Sequence, residues 1–184
     1  KENGFLWGWN MKFETKAIHV GEELNLKEGG SGDVVIPIHL SSTFARKEVD
    51  KPTGGYEYSR SGNPTRDALE KRLAALEDAK FGLAFASGMA AETVIALTLL
   101  KSGDHVIAFD GIYGGTRRLF NKVFNQNFKV DFSYIDARDI GNVKQVIKDN
   151  TKMIWLETPT NPLMNLCDIK AISGKDYDNY RLKA

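Results

Sequence analysis

The chain has 184 residues, 42% of them hydrophobic and 27% charged, which suits one ordinary soluble domain, or one and a part, with enough length to bury a core. Its 25 basic and 24 acidic side chains leave a net charge of +1 with no long block of one sign, so the electrostatic footprint of a nucleic-acid or membrane-surface binder is missing. A single cysteine, Cys167, cannot build a disulfide framework or a cysteine zinc site, and a reducing cytoplasm is the expected setting.

The first stretch, "KENGFLWGWN", carries Trp7 and Trp9 but no signal-peptide core, and no run approaches the roughly 20 apolar residues of a membrane span. Met11 reads as an original start, and residues 1–10 as an upstream extension. Residues 11–62 read as an irregular, extended arm. "KEGGSGD" signals a flexible loop, "VVIPIHLSSTFA" an extended run broken by Pro37, and "KPTGGYEYSRSGNP" another loop. Phe44, Tyr56 and Tyr58 argue against disorder. A long segment of this kind is usually functional.

At Asn63-Pro64 the pattern changes to a cap and a first-turn proline. Leu69, Leu73 and Leu76 recur at helical spacing, with Glu70, Lys71, Arg72 and Glu77 expected outside. The chain then alternates. "FGLAFA" is expected as a buried strand, "MAAETVIALTLL" as a buried helix and "DHVIAFD" as a strand. A helix follows from Gly115 to about Asn125, then strand "KVDFSYI", helix "IGNVKQVIKD" and strand "KMIWLE". Alternating strands and helices predict an α/β fold with a mostly parallel sheet. Ligands of such sheets bind beyond the carboxyl ends of the strands, here after Ala86, Asp110 and Glu157.

After the first strand stands Ser87-Gly88-Met89, where a glycine lets a ligand approach and free N–H groups favour an anion. The alternative is a serine cap with a packing glycine. The glycine fingerprints of dinucleotide and P-loop sites are absent. After the second strand comes "DGIYGGTRRLF", whose Tyr113 can lay its ring on a flat ligand or cover the core instead. After the last comes "ETPTNP", whose Asn161 can bond a ligand oxygen or simply make an Asn-Pro turn. In the arm, Tyr58 and Arg60 lie two apart and share one face of an extended segment, as a phosphate clamp or as a packed tyrosine beside a surface arginine. Cys167 could be a nucleophile, but no histidine lies near it in sequence, and a small loop or core residue is the plainer reading.

Taken in order, "IPIHLSSTFA", "YEYSRSGNPTR", "FASGMAA", "DGIYGGTRRLF" and "ETPTNPL" resemble the Cys/Met-metabolism family of pyridoxal-phosphate enzymes, from about residue 13 to about residue 172. The resemblance implies a fold-type I, aspartate-aminotransferase-like fold, and pyridoxal 5'-phosphate as cofactor. It implies that Ser87 and the N–H groups of Gly88 and Met89 cradle the phosphate, and that Tyr58 and Arg60 reach that phosphate from a neighbouring subunit. Tyr113 would stack on the pyridine ring and serve catalysis, and Asn161 would bond the phenolic oxygen. His19, His39 and His105 match no catalytic role, and no metal is implied. The activity implied is a cytoplasmic lyase or transferase of transsulfuration, of cystathionine γ-synthase or γ-lyase type. It would act on a small amino-acid substrate in a dimer of dimers, without nucleic acid or membrane.

The family's aspartate for the ring nitrogen and its Schiff-base lysine in an S-x-x-K context lie beyond the T-N-P loop. "DIKAIS" still resembles the family; "GKDYDNYRLKA" does not, and Lys175 stands in "SGK". The expectation is therefore a truncated chain, inactive alone, with an extension at 1–10, an arm at 11–62, a partial cofactor domain at 63–173 and an aberrant tail at 174–184. The competing expectation is a non-catalytic remnant, or a subunit that assembles with a separately encoded second half. A nucleotide-binding oxidoreductase is disfavoured by the absent glycine fingerprint.

Overall fold

The computed structural model describes residues 11–22 and 32–174; the extension at 1–10, most of "KEGGSGD" and the tail beyond Gly174 fall outside the described residues. By contact the chain divides into two compact units, Lys1–Ala84 and Phe85–Ala184.

In the first unit, α1 spans Phe13–His19, β1 Arg46–Glu48, β2 Lys51–Pro52 and α2 Pro64–Leu76. The arm is thus not wholly irregular: it holds one short helix and a minimal antiparallel pair, β1 with β2. Helix α2 begins as its sequence dictates. Asn63 is extended and its side chain accepts the Thr65 N–H at 2.9 Å, while Pro64 occupies the first turn, where its missing N–H costs nothing.

The face assignment of α2 needs correction. Ala68 and Ala74 are the buried residues, while Leu69 remains 50% exposed and Leu73 is exposed too. Glu70 and Arg72 point inward instead. Arg72 donates to the Val20 carbonyl at 2.8 Å and pairs with Glu22 at 2.6 Å; Glu70 accepts the Ala84 N–H at 2.9 Å. Small alanines let α1 and its turn approach α2 closely, so long polar side chains flanking that seam reach the arm's carbonyls. At Gly21 (φ +84°) a side chain would collide with the Ala68 backbone, which is why the turn after α1 needs glycine.

In the second unit, α3 spans Gly88–Leu99, β3 His105–Phe109, α4 Gly114–Leu119, a π-helical stretch Phe120–Asn125, α5 Gln126–Phe128, β4 Asp131–Ile135, α6 Ile140–Val146, β5 Thr151–Trp155 and α7 Ile169–Ser173. The three strands form a parallel sheet in the order β4-β3-β5. Every residue of central β3 is buried. Phe120 anchors the core, stacked on Phe132 at 4.7 Å and edge-on to Trp155 at 5.3 Å. The helix expected from Gly115 to about Asn125 therefore exists, extended to Phe128 through a π-helical middle whose Phe120 and Phe124 are buried.

Two expectations fail here. "FGLAFA" forms no strand: Phe81 is 85% and Leu83 75% exposed, and the segment belongs to no ladder. An apolar run becomes a strand only when a neighbour accepts its backbone hydrogen bonds. Likewise α3 forms as expected but is not buried; only Ala96 is, while Val94, Leu97 and Leu99 are exposed. Among the described residues no helix is long and apolar enough to cross a membrane.

Candidate functional site

Three of the expected groups lie in the second unit: the start of α3 and the turns after β3 and β5. The first is the start of α3. Ser87 is extended, its hydroxyl accepts the Ala90 N–H at 3.1 Å and its carbonyl accepts the Ala91 N–H at 3.1 Å. The amides of Gly88 and Met89 have no acceptor among the described residues. A Cβ placed on Gly88 would meet nothing within 4 Å, so packing does not require glycine there. Ser87 is therefore a cap, as the alternative reading has it, while Gly88 has open space around it and two N–H groups without an acceptor among the described residues stand at the positive end of a 12-residue helix.

The second group is the turn after β3. Tyr113, 47% exposed, is the residue from which α4 starts. Its ring lies against Gly115: a Cβ there would collide with the ring edge and stand 3.1 Å from the Met89 sulfur. Glycine at 115 thus lets the phenol lie beside the opening of α3. The turn is fastened on its far side by Arg117, which donates to the Asp110 carbonyl at 2.9 Å and sits 4.3 Å from the centre of the Tyr134 ring. Burial pushes the Tyr134 hydroxyl up, with the Arg117 charge opposing. Thr116, buried, donates to Glu92 at 2.7 Å and so ties α4 to α3.

The third group is the loop after β5. Asn161 is exposed, between the buried Thr160 and Pro162. The Thr160 backbone pairs with Asn165 and Met164, and its hydroxyl accepts the Asn165 N–H at 3.0 Å. Thr160 packs so closely on Gly111 that a Cβ at 111 would stand 3.1 Å from its Cβ. Glu157, at the head of this loop, accepts the Tyr113 N–H at 2.7 Å. Glu157, Thr160 and Thr116 lie inside the motifs "ETPTNPL" and "DGIYGGTRRLF", but the sequence assigns them no role; burial and bonding reveal it.

In the first unit Tyr58 and Arg60 are paired, but across a turn at 59–61 and not along one face of an extended segment. Arg60 donates to the Tyr58 hydroxyl at 2.9 Å, and both side chains are exposed. Tyr58 is held by a bridge to Thr43, and Arg66 braces the segment through the Ser59 carbonyl at 2.8 Å. A guanidinium already aligned with a phenol is a ready anion clamp.

Cys167 and the histidines stand apart. Burial above all pushes the Cys167 thiol up, which keeps it protonated and makes it a packing residue rather than a nucleophile. His105 is buried between Thr151 at 2.8 Å and Ser133 at 2.9 Å; His39 bonds Pro37 in the arm and Thr65 in α2. His19 is exposed on α1.

A family model described as "Cys/Met metabolism PLP-dependent enzyme" matches residues 14–176. The chain is 51% identical over 161 residues to a probable cystathionine gamma-synthase of Herpetosiphon aurantiacus, covering 88% of this chain and 49% of that protein. It is 46% identical over 172 residues to a cystathionine gamma-lyase of Dictyostelium discoideum, covering 94% of this chain and 43% of that one. Its fold is similar to the crystal structure of metB from Corynebacterium glutamicum, with a TM-score of 0.83 and 44% identity over 89% of this chain and 42% of that chain. The chain therefore spans about half, or less, of the length of the curated relatives it matches.

Proposed function

From the membership of this chain in the Cys/Met metabolism family of PLP-dependent enzymes, we propose that it forms the phosphate-holding and ring-stacking part of a transsulfuration enzyme. The reaction is γ-replacement or γ-elimination on sulfur amino acids, as in a cystathionine gamma-synthase or gamma-lyase. The family's cofactor is pyridoxal 5'-phosphate. The donor set fits it. An anion needs unpaired N–H groups with room above them, and Gly88 and Met89 offer both. A flat ring needs an exposed aromatic face, and Tyr113 offers one beside that helix start. This meeting of the α3 opening with the Tyr113 turn is the observation that carries the proposal.

Bound there, the cofactor supplies an electron sink for a carbanion at the substrate α-carbon. The chain's own residues do the rest. Ser87 holds the α3 opening while the Gly88 and Met89 amides take the phosphate. Tyr113 lies on the ring, and its phenol holds or moves a proton at the substrate amine. The Asn161 side chain donates to the phenolic oxygen. Arg60, steadied by Tyr58, adds a cation at the phosphate of a neighbouring subunit, so the assembly is a dimer or a dimer of dimers. Residues 63–173 act as the cofactor-binding part and residues 11–62 as the arm that reaches across. The single cysteine supports a cytoplasmic setting.

Two experiments test this in a polypeptide extended to the length of its relatives. Cystathionine formation or cleavage should exceed methionine breakdown, because Gly115 stands where the methionine γ-lyase subgroup typically has cysteine; dominant methanethiol release refutes it. Mixing an inactive Arg60→Ala chain with an inactive Tyr113→Phe chain should restore activity through hybrid dimers with one intact site. No recovery despite proven subunit exchange means the clamp is not shared.

A further inference from the structure

The hydrogen bond between Glu157 and the Tyr113 backbone joins two loops that carry different parts of the site. Glu157 leaves the carboxyl end of β5, four positions before Asn161. Tyr113 leaves the carboxyl end of β3 and opens α4. Tyr113 has no side-chain cap of its own kind to offer α4, and its own N–H points to the Glu157 carboxylate at 2.7 Å. A carboxylate accepting a backbone N–H at that distance is a strong, charge-assisted bond, and it sits where the α4 dipole favours negative charge. A Cβ built on Gly115 would meet both the Tyr113 ring edge and the Met89 sulfur, which places ring and sulfur beside that glycine. Nothing else on the described residues orients the turn by a hydrogen bond to Tyr113 itself, apart from its carbonyl, which starts the α4 ladder through the Arg117 N–H at 3.0 Å.

We propose that Glu157 is a positioning residue: its carboxylate fixes the Tyr113 backbone, and thereby holds the phenol ring over the α3 opening in register with the loop that presents Asn161. Thr160 supports the same coupling from the far end, packed against Gly111 at the base of the Tyr113 turn. Glu157 thus acts through Tyr113 and touches neither cofactor nor substrate. The inference rests on the cofactor role proposed for Tyr113, but the coupling itself is a property of this chain and is read without any ligand.

The test uses the 184-residue chain with Glu157→Ala and Glu157→Gln. Two readouts report the position of Tyr113 directly: hydrogen exchange at its amide, and nuclear Overhauser contacts from its ring to the Met89 methyl. A third is titration with pyridoxal 5'-phosphate. Removing the acceptor should speed exchange at the Tyr113 amide and weaken the ring–methyl contacts, with about tenfold weaker cofactor binding, the size of one lost charge-assisted bond. Glutamine keeps an acceptor oxygen and should restore most of each, which a general loss of folding would not do. Unchanged exchange and unchanged ring contacts in folded Glu157→Ala overturn the proposal; if alanine unfolds the chain, failure of glutamine to protect the Tyr113 amide overturns it equally. Absence of cofactor binding by the unsubstituted chain would strike the role of the site and not this coupling, since exchange and ring contacts are measured without cofactor.

Discussion

At Gly115 a single hydrogen atom in place of a side chain decides where an aromatic ring lies. A methyl group there would overlap the Tyr113 ring and press on Met89. Gly115→Ala should therefore turn the half-exposed Tyr113 ring aside at a stability cost of about 1 kcal/mol or less, read by urea denaturation. It should also weaken cofactor binding, because the ring has to swing away from the α3 opening. A variant of undiminished stability and affinity would show that the ring moves freely. His105 makes a different kind of prediction. Burial first, and the Lys148 charge second, hold its pKa below the ordinary 6.5, against the pull of Asp131. The folded protein thus keeps His105 neutral between its two hydroxyl partners, while the unfolded chain takes up a proton near pH 6.5. Its contribution is intact above that value and is lost as pH falls below it. The melting temperature should drop between pH 7 and 5, and His105→Gln should flatten that stretch of the curve. Asp131 is depressed chiefly by its bond to Lys148, so its contribution fails only at still lower pH, below the ordinary 3.8. A slope identical in His105→Gln would assign the dependence elsewhere.

Among the elements, α2 and α3 show how far capping alone can specify a helix. Asn63 and Ser87 both accept an N–H from the first turn, and each helix begins at the residue its cap dictates. The two caps differ in what else they do. Ser87 bonds only its own helix among the described residues, and Ser87→Ala should cost about 1 kcal/mol. Asn63 also donates to the His39 carbonyl at 3.1 Å and to the Ser59 hydroxyl at 3.0 Å, so it pins the arm as well as the helix. Asn63→Asp keeps the cap but forfeits both donations; Asn63→Ala forfeits all three. The expected order of stability in urea melts is wild type, then aspartate, then alanine. Equal stability of aspartate and wild type would mean that the arm contacts contribute nothing. The strand that does not form, 81–86, carries the complementary lesson: apolar composition sets a preference for extended backbone, and a ladder partner has to complete it.

For the molecule as a whole, the sequence contains no Ser-x-x-Lys, and the chain spans about half the length of its relatives. These 184 residues by themselves should therefore show no steady turnover of cystathionine. Borohydride treatment with pyridoxal phosphate should leave scattered, substoichiometric labelling of surface lysines. One stoichiometrically labelled lysine together with turnover would overturn that. Val34, Val35, Ile38 and Leu40 in the first unit, and Leu163, Met164 and Leu166 in the second, are all exposed. Such apolar surface favours association, and sedimentation of the isolated chain should show species heavier than 20.5 kDa.

Sequence alone determined what is local or ordered along the chain. Sequence marked Tyr58 and Arg60 as a pair, and they bond each other at 2.9 Å, although a turn and not an extended face brings them together. The Asn63-Pro64 cap located α2, and the strand–helix rhythm predicted α3, the α4 segment and a parallel sheet whose carboxyl ends carry Tyr113 and Asn161, while Gly88 and Met89 follow a segment that forms no strand. Motif order supplied the family. What tertiary structure decided is which groups are covered and which are tied together across long stretches of chain. Leu69 and Leu73 had the right spacing for a core, yet Ala68 and Ala74 are the buried residues, because backbone approaches α2 closely there, at Gly21 beside Ala68 and at Gly82 beside Ala74. Glu157 lay inside a quoted motif with no role assigned to it, yet it holds Tyr113 across 44 positions. A hydrogen bond between two loops depends on where separate strands end in space, and hydrophobic periodicity, which records only whether one residue faces the core, holds no information about that.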